Sequence, residues 1–248
     1  MKRILILGGT QEGYALAERL ADVAGLEIIS SLAGRTQSPR RPKGQMRSGG
    51  FGGAEGLARY LRSEKIAYLV NATHPFADQI SANAAAAADA AGVPLLRLLR
   101  PGWTARAEDR WIMAGDMAEA AELCRREGGR IFLTTGSGDL NAFAGIHNAH
   151  FVVRVVDAPE IMPLHDYATI TARGPFSLAD ELALMSEHQI NLLVTKNSGG
   201  DATYAKLEAA HKLRLPVIMV ERPAIALEPR SPVVEDVEAA VAHLLATL

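Results

Sequence analysis

Apolar and polar positions along this chain follow two periods. Short runs rich in Ile, Leu and Val fall at residues 3–7, 27–32, 68–70, 95–99, 131–134, 151–156, 192–195 and 217–220. These runs are apolar on both faces, the pattern of central strands in parallel sheets. Between them lie amphipathic stretches at 12–24, 54–63, 78–91, 116–126, 178–188 and 202–212. A terminal helix carries Val237, Val241, Leu244, Leu245 and Leu248 on one face. Regular alternation of strand and helix predicts an α/β, doubly wound architecture.

The pattern also repeats. Arg3-Ile4-Leu5-Ile6 with Gly9-Thr10 resembles Arg130-Ile131-Phe132-Leu133 with Gly136-Ser137. Leu69-Val70 before Asn71 resembles Leu193-Val194 before Thr195, and Pro94 through Arg100-Pro101 resembles Pro216 through Arg222-Pro223. The three matches keep chain order at a nearly constant spacing of about 125 residues. The expected fold is therefore two Rossmann-like lobes with mainly parallel sheets and a cleft between them. Residues 1–104 are assigned to an N-terminal lobe and 105–248 to a C-terminal lobe, with the terminal helix able to pack on either. Ligands of open α/β sheets bind at the carboxyl ends of the strands, so the loops there hold the candidate chemistry.

Composition narrows the class. The chain has 248 residues, 48% hydrophobic and 22% charged, with a formal net charge of −2. That balance is globular, and it supplies no broad positive field for nucleic acid. The single cysteine, Cys124, lies in a helical pattern and reads as a small core residue. The apolar run at residues 4–7 is too short for a signal peptide, and no run approaches the roughly 20 residues that span a bilayer. A soluble cytoplasmic protein is expected, with no membrane or nucleic-acid partner. His147 and His150 stand three apart without a pattern that completes a metal site, so no metal is expected.

Five loops follow the predicted strands. Gly8-Gly9-Thr10-Gln11-Glu12-Gly13 joins the first strand to its helix, where glycine admits a phosphate and the helix N-terminus offers N–H donors. Gly34-Arg35 follows the second strand; an arginine there suits the extra 2′-phosphate of NADP better than it suits a ribose hydroxyl. Residues 36–53 form a long basic loop with Arg40, Arg41, Lys43 and Arg47 and a glycine-flanked Phe51, a candidate lid over an acidic substrate. Asn71-Ala72-Thr73-His74 follows a buried strand, and a histidine there can bond a phosphate or shuttle a proton. Lys196-Asn197-Ser198-Gly199-Gly200 is the second-lobe equivalent and a candidate anion nest, with the loop 134–138 as a further wall.

Together these motifs resemble the precorrin-6A reductase family of cobalamin (vitamin B12) biosynthesis. The resemblance is carried by Gly8-Gly9-Thr10-x-Glu12-Gly13, Ala33-Gly34-Arg35, Arg47-x-Gly49-Gly50-Phe51-Gly52-Gly53, Ala72-Thr73-His74-Pro75-Phe76-Ala77, Arg100-Pro101-x-Trp103, Arg173-Gly174-Pro175-Phe176 and Lys196-Asn197-Ser198-Gly199-Gly200. These seven motifs extend over nearly the whole chain. The resemblance implies an oxidoreductase that reduces one carbon–carbon double bond of the precorrin-6A macrocycle with hydride from NADPH. It implies a cofactor site drawn from Gly8, Gly9, Thr10, Gly13, Gly34, Arg35, Thr73, Lys196, Asn197, Ser198, Gly199 and Gly200. Arg40, Arg41 and Arg47 are expected to neutralise carboxylates of the tetrapyrrole-derived substrate while Phe51 packs on its ring. Asn71 and His74 are expected at the reacting atoms, in a monomer or weak homo-oligomer.

One position departs from the family pattern. Aspartate usually precedes Ala-Thr-His-Pro, whereas this chain has Asn71. An amide cannot ionise. Either the family residue only orients its neighbours, or the proton comes from water or substrate, or this chain is a weakened variant that traps a complex. Two readings stand beside the main one: the cobalt-precorrin-6A reductase of the anaerobic branch, and a cytoplasmic two-lobed small-molecule binding protein. A short-chain dehydrogenase is disfavoured, because neither Tyr60 nor Tyr204 has a lysine four residues on.

Overall fold

The computed structural model describes residues 1–34, 40–223 and 231–248. Among these the elements run β1 (Lys2–Leu7), α1 (Gln11–Leu20), β2 (Leu26–Leu32), β3 (Gln45–Ser48), α2 (Gly53–Ser63), β4 (Ile66–Asn71), α3 (Asp78–Ala91) and β5 (Leu95–Leu98). There follow β6 (Arg110–Ala114), α4 (Met117–Glu127), β7 (Gly129–Leu133), a 3-10 helix (Ser137–Phe143), β8 (Ala149–Val155), β9 (Tyr167–Thr171) and α5 (Leu178–Glu187). The chain ends with β10 (Leu192–Lys196), α6 (Ala205–Lys212), β11 (Pro216–Val220), β12 (Val233–Val234) and α7 (Val237–Thr247).

Two compact units result, Met1–Pro101 with Ala224–Leu248, and Gly102–Pro223. In the first unit the described strands form a sheet of order β12-β5-β4-β1-β2-β3. All its pairings are parallel, which places every strand's carboxyl end along one edge. Alternate residues of β1 feed opposite faces. Ile4 and Ile6 meet Leu16 and Leu20 of α1 and Leu244 of α7. Leu5 and Leu7 meet Leu57 and Leu61 of α2 and the alanines of α3. This period of two is why the strand is apolar throughout.

The second unit repeats the plan with the order β6-β11-β10-β7-β8-β9, again parallel throughout. Phe132, Val152, Leu193 and Met219 of its strands pack against Met185 of α5 and Leu207 and Ala210 of α6. Cys124 is buried on α4, and that burial pushes its thiol up to about 12, as a core residue and not a nucleophile.

The division differs from the expected 1–104 and 105–248. β6 follows β5 in the chain yet pairs with β11, and β12 follows β11 yet pairs with β5. Each sheet therefore takes its sixth strand from the other half of the repeat. The helix after each exchanged strand opens on an aspartate cap, Asp116 bonding the Glu119 N–H and Asp236 the Ala239 N–H, both at 2.8 Å. The physical reason for the altered boundary is that an uncovered β5 leaves a row of unpaired backbone groups, and β12 satisfies them. Arg97 N–H donates to Pro232 O and Leu99 N–H to Val234 O, each at 2.9 Å.

The candidate lid loop is also corrected: β3 lies within it, paired to β2 from Ile29↔Gln45 to Leu32↔Ser48. On the terminal helix Leu245 faces solvent, 50% exposed, while Leu244 is buried.

A charge sits in the core of the second unit. Arg154 of β8 is 8% exposed and Glu181 of α5 is 1% exposed, their charged groups 2.8 Å apart. The guanidinium lies 3.7 Å from the ring centroid of Phe176 and 4.9 Å from that of Phe132. Burial lowers the Arg154 pKa, and Glu181 opposes that shift. Removing one partner leaves the other charge buried and alone. Glu181→Ala is expected to destabilise the protein by about 3–5 kcal/mol, and the double replacement Arg154→Met with Glu181→Leu to recover most of the loss. Urea denaturation checks this, and additive losses in the double variant would refute the coupling.

Candidate functional site

In the first unit three segments converge at the carboxyl edge: the turn after β1, the loop after β4 and the end of β5. They line a narrow depression whose walls include Thr10, Glu12, Thr73, Pro75, Leu99 and Arg100. The turn is built by its glycines. Gly9 has φ +108°, a left-handed conformation that disfavours a side chain, and a Cβ there would meet nothing within 4 Å. At Gly13 a Cβ would lie 3.3 Å from Gly8 Cα, so helix and turn can approach only because the side chain is missing.

Thr10 ties the turn to the neighbouring loop. Its hydroxyl donates to Ala72 O at 2.7 Å and accepts from Gly13 N–H at 3.1 Å, capping α1. Beside it the Arg100 guanidinium donates to the Glu12 carboxylate at 2.6 Å. Gly34 ends the β2 segment with φ +75°, and a Cβ there would lie 3.2 Å from Ser48 Oγ. Arg35 lies outside the described residues.

The loop after β4 is held from within. Asn71 is 2% exposed. Its amide oxygen accepts from the Thr73 hydroxyl at 2.7 Å and the Thr73 N–H at 3.2 Å, and its amide nitrogen donates to Ser81 Oγ at 3.1 Å. Ser81 in turn donates to Ala77 O at 2.9 Å, so these bonds brace the loop against the first turns of α3. Asn71, expected at the reacting atoms, is thus a buried connector. Thr73 gives its hydroxyl proton to Asn71, and its oxygen accepts from Arg97 at 3.1 Å. His74 is half-buried, and its Nδ1 accepts from Phe76 N–H at 3.3 Å, which assigns the proton of the neutral ring to Nε2.

Arg47 and Phe51 also serve each other. The Arg47 guanidinium donates to Ser31 Oγ at 2.6 Å, Gly49 O at 3.0 Å and Gly50 O at 3.1 Å. It lies 3.7 Å from the centroid of the Phe51 ring, and burial lowers its pKa. This cation covers one face of the ring, and the pair clasps the β3–α2 loop. Arg40 and Arg41 are exposed, with Arg40 5.5 Å from the Tyr14 ring centroid.

In the second unit the loop after β10 is clamped on two sides. Asn197 Oδ1 accepts from Trp103 N–H at 2.7 Å and Asn197 Nδ2 donates to Trp103 O at 3.0 Å. The Trp103 indole donates to Gly200 O at 3.0 Å, and Arg222 donates to Asn197 O at 2.8 Å and Ser198 O at 3.1 Å. Asn197, expected to contact a ligand, spends its amide on the Trp103 backbone. Ser198 is buried, while Gly199 and Gly200 adopt φ +67° and +76°, the left-handed region that favours glycine. Lys196 pairs with Asp139 at 2.5 Å. Thr135, on the loop after β7, is 5% exposed, and its hydroxyl has no hydrogen-bond partner among the described residues.

Several of these residues carry little signal in sequence. Arg97 and Arg154 each interrupt an apolar strand run, and that interruption is the one available clue. Glu12, Arg100, Asp139, Trp103 and Arg222 lie in or beside the motifs, but their pairings depend on tertiary structure.

The family model for Precorrin-6x reductase CbiJ/CobK matches residues 3–245. The Precorrin-6A reductase of Rhodococcus erythropolis is 53% identical over 243 residues, which span 98% of this chain and 97% of that relative. The Cobalt-precorrin-6A reductase of Salmonella typhimurium is 30% identical over 231 residues, spanning 89% of this chain and 87% of the relative. A solved structure of CobK precorrin-6A reductase aligns with a TM-score of 0.93 and 41% identity over 99% of this chain and 97% of that one. Matched along almost its entire length in sequence and in strand architecture, this chain belongs to the precorrin-6x reductase family.

Proposed function

We propose that this protein reduces one carbon–carbon double bond of precorrin-6A, the cobalt-free macrocycle, using NADPH. The observation that carries the reading is the carboxyl edge of the first unit. There a left-handed Gly9, a capped α1 and a cluster of guanidinium groups stand together on a parallel sheet. The greater identity to the precorrin-6A relative than to the cobalt-precorrin-6A relative supports the cobalt-free substrate.

The residues present fit a dinucleotide phosphate. The open space beside Gly9 admits a phosphate oxygen, and the N-terminal dipole of α1 favours negative charge there. Gly8, Gly9, Thr10 and Gly13 are assigned to that cradle, Gly34 and Arg35 to the 2′-phosphate, and His74 to a phosphate oxygen or to proton transfer at Nε2. In the second unit Lys196, Ser198, Gly199 and Gly200 offer a further anion-receiving edge. The bound nicotinamide would supply the hydride. The protein's contribution is to orient and to desolvate, holding the loop after β4 in one geometry by the Asn71 bonds. Arg40 and Arg41 are assigned to substrate carboxylates. Arg47 acts at one remove by keeping its loop in place.

Mixing the protein with precorrin-6A and NADPH should consume the reduced-nicotinamide absorbance; a protein that only binds small molecules leaves it unchanged. Arg35→Ala is expected to raise KM for NADPH about tenfold, the worth of one charge-assisted contact, with little effect on NADH. Equal use of both cofactors by the unaltered protein would refute the 2′-phosphate assignment.

Asn71→Asp retains both acceptor bonds to Thr73 and loses the donor bond to Ser81. Turnover is expected to stay within about threefold of the starting protein, or to rise, because one hydrogen bond contributes on the order of 1 kcal/mol. A hundredfold loss in steady-state assays would show that the amide donor itself is required.

A further inference from the structure

Arg97 lies on β5 and is 2% exposed. Its guanidinium donates to Asn71 O at 3.2 Å, Thr73 Oγ1 at 3.1 Å and Thr73 O at 3.3 Å. It thus grips the loop that carries His74, from behind the wall that Thr73 contributes to the depression. The fold itself does not demand an arginine here. In the first sheet Arg97 pairs with Asn71 across β5 and β4, and in the second Met219 pairs with Thr195 at the same register of β11 and β10. Met219 is fully buried, so a central strand of this architecture accepts an unbranched apolar side chain at that point. Burying a guanidinium is costly compared with burying methionine, and that cost has to be offset by what the charge does.

We infer that Arg97 is a positioning residue for the anionic part of the cofactor: it fixes the Thr73–His74 backbone and supplies permanent positive charge behind it. The inference rests on the dinucleotide reading of the first unit and adds to it a residue that touches no ligand. An anion at the depression interacts with this charge partly through solvent, so added salt weakens the attraction.

The test is calorimetric titration of NADP+ into the unaltered protein, Arg97→Met and Arg97→Lys, over a series of salt concentrations, with circular dichroism and Tm recorded for each. Arg97→Met copies the twin strand. It is expected to remain folded, to bind NADP+ about tenfold or more weakly, and to show a flatter salt dependence. Arg97→Lys keeps the charge but not the forked donors, so its affinity should fall between the two with the salt dependence retained. A folded Arg97→Met with unchanged affinity overturns the inference, and so do two variants weakened equally with unchanged salt dependence. Should Arg97→Met fail to fold, Arg97→Lys decides: a loss of affinity smaller than about tenfold supports the inference, and a larger loss overturns it. Failure of the unaltered protein to bind NADP+ would instead overturn the cofactor reading and take this inference with it.

Discussion

The hydrogen-bond ladder between β5 and β12 is the constraint on which the first unit depends. Without β12, β5 is an edge strand, its N–H groups open to water and its side chains half-solvated. With it, the backbone bonds from Arg97 to Pro232 and from Leu99 to Val234 close the edge of the strand, whose Arg97 is 2% exposed. A guanidinium so buried seeks acceptors inside the protein, and its terminal nitrogens donate to the carbonyl and hydroxyl groups of Asn71 and Thr73. The strand that carries this guanidinium is thus completed by one more than 100 residues away in sequence. A parallel strand needs a crossover rather than a hairpin, and this chain obtains the sixth strand of each sheet from the opposite half of its repeat.

The eight strands legible from hydropathy are the inner ones and their immediate neighbours. Those missed are β3, β6, β9 and β12, which form the two margins of each sheet. The reason is physical. A marginal strand buries less of its side-chain surface, so it loses the both-faces-apolar signature; Gln45 and Met46 of β3 are exposed, as are alternate residues of β9. The return of the chain's end to the first unit is hard to read in sequence for the same reason. A two-residue strand such as Val233–Val234 carries almost no pattern, and its partner is set by tertiary pairing alone.

The site divides along a similar line. Gly9 and Gly13 were legible because a backbone requirement excludes other residues, and the structure shows both the positive φ and the close approach. The polar residues stand out in sequence, but their partners do not. Sequence reveals that Arg47, Asn71 and Asn197 carry donors, but not that Gly49, Ser81 and Trp103 would take them. Arg97 and Arg154 were passed over because a charge within an apolar run reads as an interruption. In the folded chain such a charge indicates a buried polar network, and each of these two arginines anchors one.

The repeat shows which of these networks belong to the fold and which to chemistry. Arg47 against Phe51 in one unit and Arg154 against Phe176 in the other set a guanidinium 3.7 Å from a phenylalanine that precedes a helix. The phenylalanine is kept in both halves, while the guanidinium comes from the marginal strand β3 in one and from the inner strand β8 in the other. The halves thus pin the chain entering the next helix by two routes. Arg97 opposite Met219 breaks the equivalence, as does Asn71 opposite Thr195. Both halves solve the same packing problem at that register, and only one does so with a charge. Because the apolar solution is available and costs less, stability alone does not account for the arginine. Under the proposed cofactor site, its contribution lies in what the Thr73–His74 loop can then receive, and the difference between the halves puts that buried charge in the first unit.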